Sequence, residues 1–198
     1  TAGQILPVLM AYNNDGTIRF PVKHISQLTM IKILYIINDF EDISLNHNAF
    51  KIADSLPRDK FTVYILALEN HGSLKGRFFT TFRHRLFLSD KSFLHGVFLA
   101  ANIIKKYGIQ IVHTQTLRAD YTLFFAKIVL LPDRIKIFHA ANRRNYLFMS
   151  CEPNFLFKNI FYIISCHLAD FNICVANHLQ FKLINRLMVS KQKVITIF

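Results

Sequence analysis

Ile109-Gln110-Ile111-Val112-His113-Thr114-Gln115 is the stretch that decides the fold. An apolar run stops abruptly in three hydrogen-bonding side chains, and a helix-like segment follows. A strand whose tip turns polar as the chain leaves the sheet is how an open α/β fold presents its ligand crevice. The same grammar recurs at Ile31–Asp39 and Ile135–Arg144.

Working outward, Met30–Ile37 reads as the first strand of an α/β domain, ending in Asn38-Asp39-Phe40-Glu41-Asp42. The spacing predicts a helix over Ser44–Leu56, with Ala49, Ile52, Ala53 and Leu56 on one face and Pro57 stopping it. Phe61–Ala67 is a β-branched and aromatic strand, and Glu69–Ser73 a loop. Ser89-Asp90 is expected to cap a helix lasting to Tyr107, with Lys105 and Lys106 in its last turn and Gly108 beyond it. After the central strand come a helix over Arg118–Leu131, closed by Pro132, a strand over Arg134–His139 and a loop over Ala140–Glu152. An apolar helix over Pro153–Ala169, a strand over Phe171–Ala176, a helix over Asn177–Met188 and a strand over Lys193–Ile197 complete the order.

These strands are apolar runs without alternation, the pattern of strands hidden on both faces, so the sheet should be parallel and covered by helices on both sides. The fold class that follows is α/β, Rossmann-like and doubly wound. Right-handed crossovers put every strand's carboxyl end on one edge. Asn38 and Asp39, His113, Thr114 and Gln115, His139 with Asn142, Arg143 and Arg144, and Asn177 should therefore meet on one rim. Residues 1–29 read differently: a turn at Tyr12–Thr17 between two short apolar runs allows a small hairpin, bracketed by Pro7 and Pro21. The domain is expected to begin at residue 30, with residues 1–29 an extension or foreign to it.

At 198 residues the chain suits one domain with a full core. An apolar content of 52% with 20 Phe excludes a disordered tail. The greasiest stretch, Phe155–Ala176, is interrupted by Lys158, His167 and Asp170, so a buried helix and strand explain it better than a membrane span. Thr1–Met10 lacks the basic start of a secretory signal. Cys151, Cys166 and Cys174 are odd in number and have no metal-ligand spacing, so reduced thiols and a cytoplasmic location are expected. Charge is uneven: residues 1–71 hold 6 Lys/Arg against 7 Asp/Glu, and residues 72–198 hold 18 against 5. Such a field attracts an anionic partner, or is simply a solvated surface.

Met30–Asp39, Ile109–Gln115, Lys136–His139 and Leu168–Asn177, in this order and spacing, resemble the N-terminal domain of family 4 retaining glycosyltransferases, which have the two-domain GT-B fold. The likeness covers residues 30–198. It implies a domain that holds a glycan or lipid-linked acceptor, while a C-terminal domain would bind the nucleotide-sugar donor. Lys193–Phe198 resembles the run into the hinge, so the chain is expected to be half an enzyme and inactive alone. No metal or bound cofactor is implied, the nucleotide-sugar being a co-substrate. His139 matches the family histidine that faces the reacting sugar, where an imidazole can hydrogen-bond and orient it; a solvated or core-satisfied histidine is the plain alternative. His113-Thr114-Gln115 matches a His-Thr-His-like signature in which Gln115 can hydrogen-bond but not shuttle a proton. Arg143 and Arg144 suit a phosphate on the acceptor. The family usually has glycine after the first strand, where this chain has three acids.

Lys75–Phe98 mixes cations with aromatics, and Arg77, Phe78, Phe79, Arg83 and Arg85 are candidates for contact with an anionic membrane surface. Core packing of the Phe residues is the alternative. A nucleotide-cofactor oxidoreductase would want Gly-x-Gly-x-x-Gly after the first strand, which is missing. No nucleic-acid-binding motif stands out, and the histidines are too scattered for a metal hydrolase. A non-catalytic Rossmann-like domain that binds an anionic ligand or partner remains as the second reading.

Overall fold

The computed structural model describes residues 30–89, 92–130, 136–141, 155–174 and 176–196. Seven strands, β1 (Ile31–Ile37), β2 (Phe61–Ala67), β3 (Leu86–Leu88), β4 (Ile111–Thr114), β5 (Lys136–Ala141), β6 (Phe171–Cys174) and β7 (Val194–Thr196), alternate with helices. These are α1 (Ser44–Ser55), α2 (Lys75–Phe82), α3 (Phe93–Tyr107), α4 (Leu117–Val129), α5 (Phe155–Leu168) and α6 (Asn177–Asn185). The strand order is β3-β2-β1-β4-β5-β6-β7, and every pairing is parallel. The expected covered parallel sheet is what forms.

Both faces of β1 are buried, which is why its sequence shows no alternation. Ile33, Tyr35 and Ile37 face a core shared with Ala49, Phe50, Phe78 and Phe82 from α1 and α2. Leu34 and Ile36 face the other core, with Val97, Ala100, Ile104, Leu123 and Ala126 from α3 and α4. Cys166, Cys174, Leu183, Val189 and Val194 form a third cluster toward β7.

From β1 the chain winds outward to β2 and β3, and from β4 it winds the opposite way to β7. The order therefore reverses between β1 and β4, where loops leave the sheet in opposite directions and open a crevice beyond the strands' carboxyl ends.

Several local expectations need correction. Ser92, not Ser89 or Asp90, caps α3, its Oγ accepting from the His95 N–H at 3.5 Å. Ile52 is exposed on α1, and Phe50 takes its place in the core, because the buried stripe runs through Asn46, Ala49, Phe50 and Ala53. The basic aromatic stretch resolves into α2, a 3-10 turn at Arg83–Arg85 and the edge strand β3. Gly108 does close α3, at φ +62°, a left-handed position that favours glycine.

Candidate functional site

The loop after β1 is built around Asp39. Its buried carboxylate accepts from the Glu41 N–H at 2.9 Å, Asn46 Nδ2 at 3.0 Å and Asn38 Nδ2 at 2.7 Å. Asn46 also donates to the Glu41 carbonyl at 3.0 Å, so it satisfies two acceptors at the mouth of α1, whose N-cap Ile43 offers no side-chain oxygen. A buried carboxylate is tolerated when donors saturate it. Asn38 and Asp39, both expected to meet substrate, hold the turn here. The other two acids of the loop also have partners: Asp42 pairs with His47, and Glu41 lies 3.5 Å from His71 Nε2. Each of the three acids of the turn thus has a hydrogen-bonding neighbour.

The tip of β4 lies across the crevice. His113 is paired in register with Tyr35, and their rings sit 4.7 Å apart at 31°. Burial pushes the Tyr35 phenol far above its ordinary range, so it is neutral and acts as a flat apolar wall. Gln115 Nε2 comes within 3.4 Å of His113 Nε2, so both share the Tyr35 side of the sheet. Thr114 is turned the other way by the two-residue period of the strand. It lines a narrow cleft between α4 and α5 with Asp120, Ser165 and Leu168. Thr114 Oγ1 and Gln115 Oε1 are buried and have no hydrogen-bond partner among the described residues. A buried oxygen left unpaired costs about 1–3 kcal/mol, so each is a place for water or a ligand group.

The tip of β2 contributes a charged network that the sequence reading passed over. Glu69 forms an ion pair with Arg118 at the start of α4, and its other oxygen lies 3.3 Å from His71 Nδ1. With Glu41 this joins the loops after β1, β2 and β4. A signal was available: β2 is parallel to β1, so its carboxyl end must reach the same rim. The loops are further held by backbone bonds, from the Phe40 N–H to the His71 carbonyl at 2.8 Å and from the Leu74 N–H to the Phe40 carbonyl at 2.9 Å. Gly72 sits between them at φ +116°, so close that an added Cβ would lie 2.0 Å from the Phe40 carbonyl carbon.

The remaining candidates divide. The His139 backbone pairs in register with Thr114 on one side and Asn172 on the other, one step along from the pair Phe138 and His113. The two histidine-bearing strand ends are therefore neighbours. Asn177 opens α6 at the same edge and is exposed. Asn142, Arg143 and Arg144 lie outside the described residues. Arg77, Phe78 and Phe79 lie on α2, and Arg83 and Arg85 in the 3-10 turn after it. Phe78 is fully buried against Phe40 and Phe50, at ring distances of 5.3 and 5.1 Å, which removes it as a membrane contact. Its apolar area is worth more in the core than at any surface. Arg77 lies over the Phe50 ring at 4.6 Å, Phe79 is partly exposed, Arg83 is exposed and Arg85 half-buried. Among the described residues, no three His, Cys, Asp or Glu are grouped to hold a metal ion, and no helix is long and apolar enough to cross a membrane.

Solved structures share this arrangement. A glycosyltransferase from Rickettsia africae ESF-5 matches 85% of the chain at a TM-score of 0.60 and 19% identity, over 42% of its own length. Anabaena HepE, solved in complex with UDP-glucose, matches 85% at a TM-score of 0.63 and 11% identity, over 43% of its length. The fold is one half of a GT-B architecture. A UDP-N-acetylglucosamine 2-epimerase from Rickettsia bellii also matches 85% of the chain, at a TM-score of 0.57 and 16% identity, over 44% of its length. The chain thus spans less than half of each of these proteins. No protein-family model matches the sequence, and no curated protein matches it either.

Proposed function

We propose that this chain is the acceptor-side half of a family 4 retaining glycosyltransferase, which moves a sugar from a nucleotide-sugar to a glycan or lipid-linked acceptor. In that reaction an acceptor hydroxyl oxygen forms the new bond to the anomeric carbon as the bond to the donor phosphate breaks, and the hydroxyl proton passes to the departing phosphate. A polyol is recognised by amides, imidazoles and carboxylates that both give and take hydrogen bonds. The observation that carries this reading is the uncommitted amide oxygen of Gln115 beside His113, at the point where the strand order of a GT-B-type sheet reverses. Gln115 and His113 are assigned to the acceptor, and His139 to hydrogen bonding with the transferring sugar. Asn142, Arg143, Arg144 and Asn177 complete the assigned rim, the two arginines for an acceptor phosphate.

The likeness to 2-epimerases supports a second reading, in which the same half-fold serves a change within a nucleotide-sugar and needs no acceptor. One experiment separates the two. The full-length gene product is incubated with labelled UDP-glucose or UDP-N-acetylglucosamine, with and without a glycan and lipid extract. Label moving to the extract, with turnover lost in His139→Ala while the circular dichroism spectrum is kept, is the expected result. Isomerisation of the nucleotide-sugar without extract favours the epimerase. Unchanged kinetics in His139→Ala removes that residue from the site. The 198-residue chain alone should bind UDP-glucose weakly, and tight binding would contradict the division between halves.

A further inference from the structure

The sheet ends at β3, which has β2 on one side and no strand on the other among the described residues. Along a strand, successive residues point their backbone N–H and C=O groups to opposite sides in the plane of the sheet. The Ser89 N–H donates to the Ala67 carbonyl at 2.9 Å, so the groups of Phe87 face β2 as well. Those of Leu86 and Leu88 therefore point outward, and nothing among the described residues receives them. The side chains agree. Leu86, Phe87 and Leu88 are all half-buried, whereas six of the seven residues of β2 are buried. Phe87 meets Tyr64 and Tyr107 on one face, at ring distances of 6.5 and 5.5 Å. Leu86 and Leu88 pack on the other face against the core around Phe50 and Phe78. One more strand would cover what these three side chains leave exposed.

Charge identifies what can add there. Arg83, His84 and Arg85 form the 3-10 turn at the amino end of β3. Lys106 lies over the Tyr107 ring at 5.5 Å, on the face where that ring meets Phe87. Residues 70–89 contain no Asp or Glu, and neither Arg83 nor Arg85 has an ion pair among the described residues. Asp54, which lines the cleft beside Arg85, is paired with Arg58 at 3.4 Å. Cations flanking an edge strand deter a second copy, whose own cations they would meet. The same cations admit an acidic strand. A nucleic acid would satisfy the charge but would leave the outward N–H and C=O groups and the half-covered leucines unmatched, whereas a peptide backbone pairs with all of them.

We propose that β3 is a docking edge for an extended acidic segment of another protein, which adds to the sheet as a further strand. Its backbone pairs with Leu86 and Leu88, and its carboxylates meet Arg83 and Arg85. Two strands, β2 and β1, separate β3 from the crevice, so the crevice stays open, and the inference does not depend on the sugar-transfer reading. The test is fluorescence anisotropy with a labelled peptide that alternates valine and threonine and carries a run of glutamates at one end. The peptide should bind, more weakly as salt rises. A version with lysines for the glutamates, and a version N-methylated along its whole backbone, should not bind. Arg83→Ser with Arg85→Ser should lower the affinity about threefold to tenfold, the loss of two exposed ion pairs. Leu88→Pro removes an outward N–H without removing a donor to β2, and should lower it about fivefold. Lys191→Ser, beside the opposite edge strand β7, should leave it unchanged. Circular dichroism checks that each variant is folded, and the peptide comparisons need no variant. Equal binding of the N-methylated or the lysine peptide, no binding of the acidic peptide, tighter binding of a polyuridine strand, or a dimer in solution abolished by Leu88→Pro would each overturn the proposal.

Discussion

Gly72→Ala tests the construction of the rim. At φ +116° a residue with a side chain is strained by about 1–3 kcal/mol. The new Cβ would also lie 2.0 Å from the Phe40 carbonyl carbon and 2.3 Å from the Glu41 nitrogen. Both are backbone atoms, so no rotamer relieves the overlap and the two loops must separate. Separation breaks the bonds from the Phe40 N–H to His71 and from the Leu74 N–H to Phe40, each worth about 1 kcal/mol net. The expected loss is about 3–5 kcal/mol, a large share of the roughly 5–15 kcal/mol that holds a domain together. Gly108→Ala is the control: φ is +62° and nothing lies within 4 Å of the added Cβ, so only the left-handed penalty of about 1–2 kcal/mol applies. Equilibrium urea unfolding of both variants gives the comparison. A Gly72→Ala loss no larger than that of Gly108→Ala would refute the close approach of the two loops.

Phe78→Ala should cost about 3–5 kcal/mol in the same assay, as expected for a buried ring; a cost below about 1 kcal/mol would mean the ring is not in the core. Burial, and then the neighbouring Cys166, push the Cys174 thiol up to about 11 from 9.0. The folded state therefore keeps its proton where the unfolded chain loses it, so stability holds below pH 9 and falls between pH 9 and about 11. Urea midpoints across that range should decline less steeply in Cys174→Ala, and parallel slopes would count against the burial. Thr114→Val removes a buried hydroxyl with no partner and should be neutral or stabilising by up to about 1 kcal/mol, read from the thermal midpoint; a loss above about 2 kcal/mol would show that the hydroxyl is held by a bound group.

The sheet was readable because its strands are unbroken apolar runs, and Phe61–Ala67 matches its predicted bounds residue for residue. The meeting of strand tips on one edge followed from topology alone. Side-chain commitments were not readable. Asp39 looks available in sequence, and only the arrival of Asn46 and the Glu41 amide shows that its oxygens are taken. Glu69 and Arg118 stand far apart in the chain and meet only once the carboxyl ends of β2 and β4 share one edge of the sheet. The basic aromatic stretch misled because α2 turns Phe78 inward while leaving Phe79 partly exposed, a distinction of one residue that composition does not carry.

The alternation of His113, Thr114 and Gln115 has a consequence for folding. In a sheet greasy on both sides, shifting β4 by one residue against β1 exchanges its two faces at little hydrophobic cost, so the apolar pattern alone leaves the register loosely fixed. The polar tip breaks that symmetry. A slipped strand would drive the imidazole toward Leu34 and Ile36 and deprive it of Tyr35. The residues that look made for a ligand thus also act as a parity lock, fixing which way the central strand can enter the sheet.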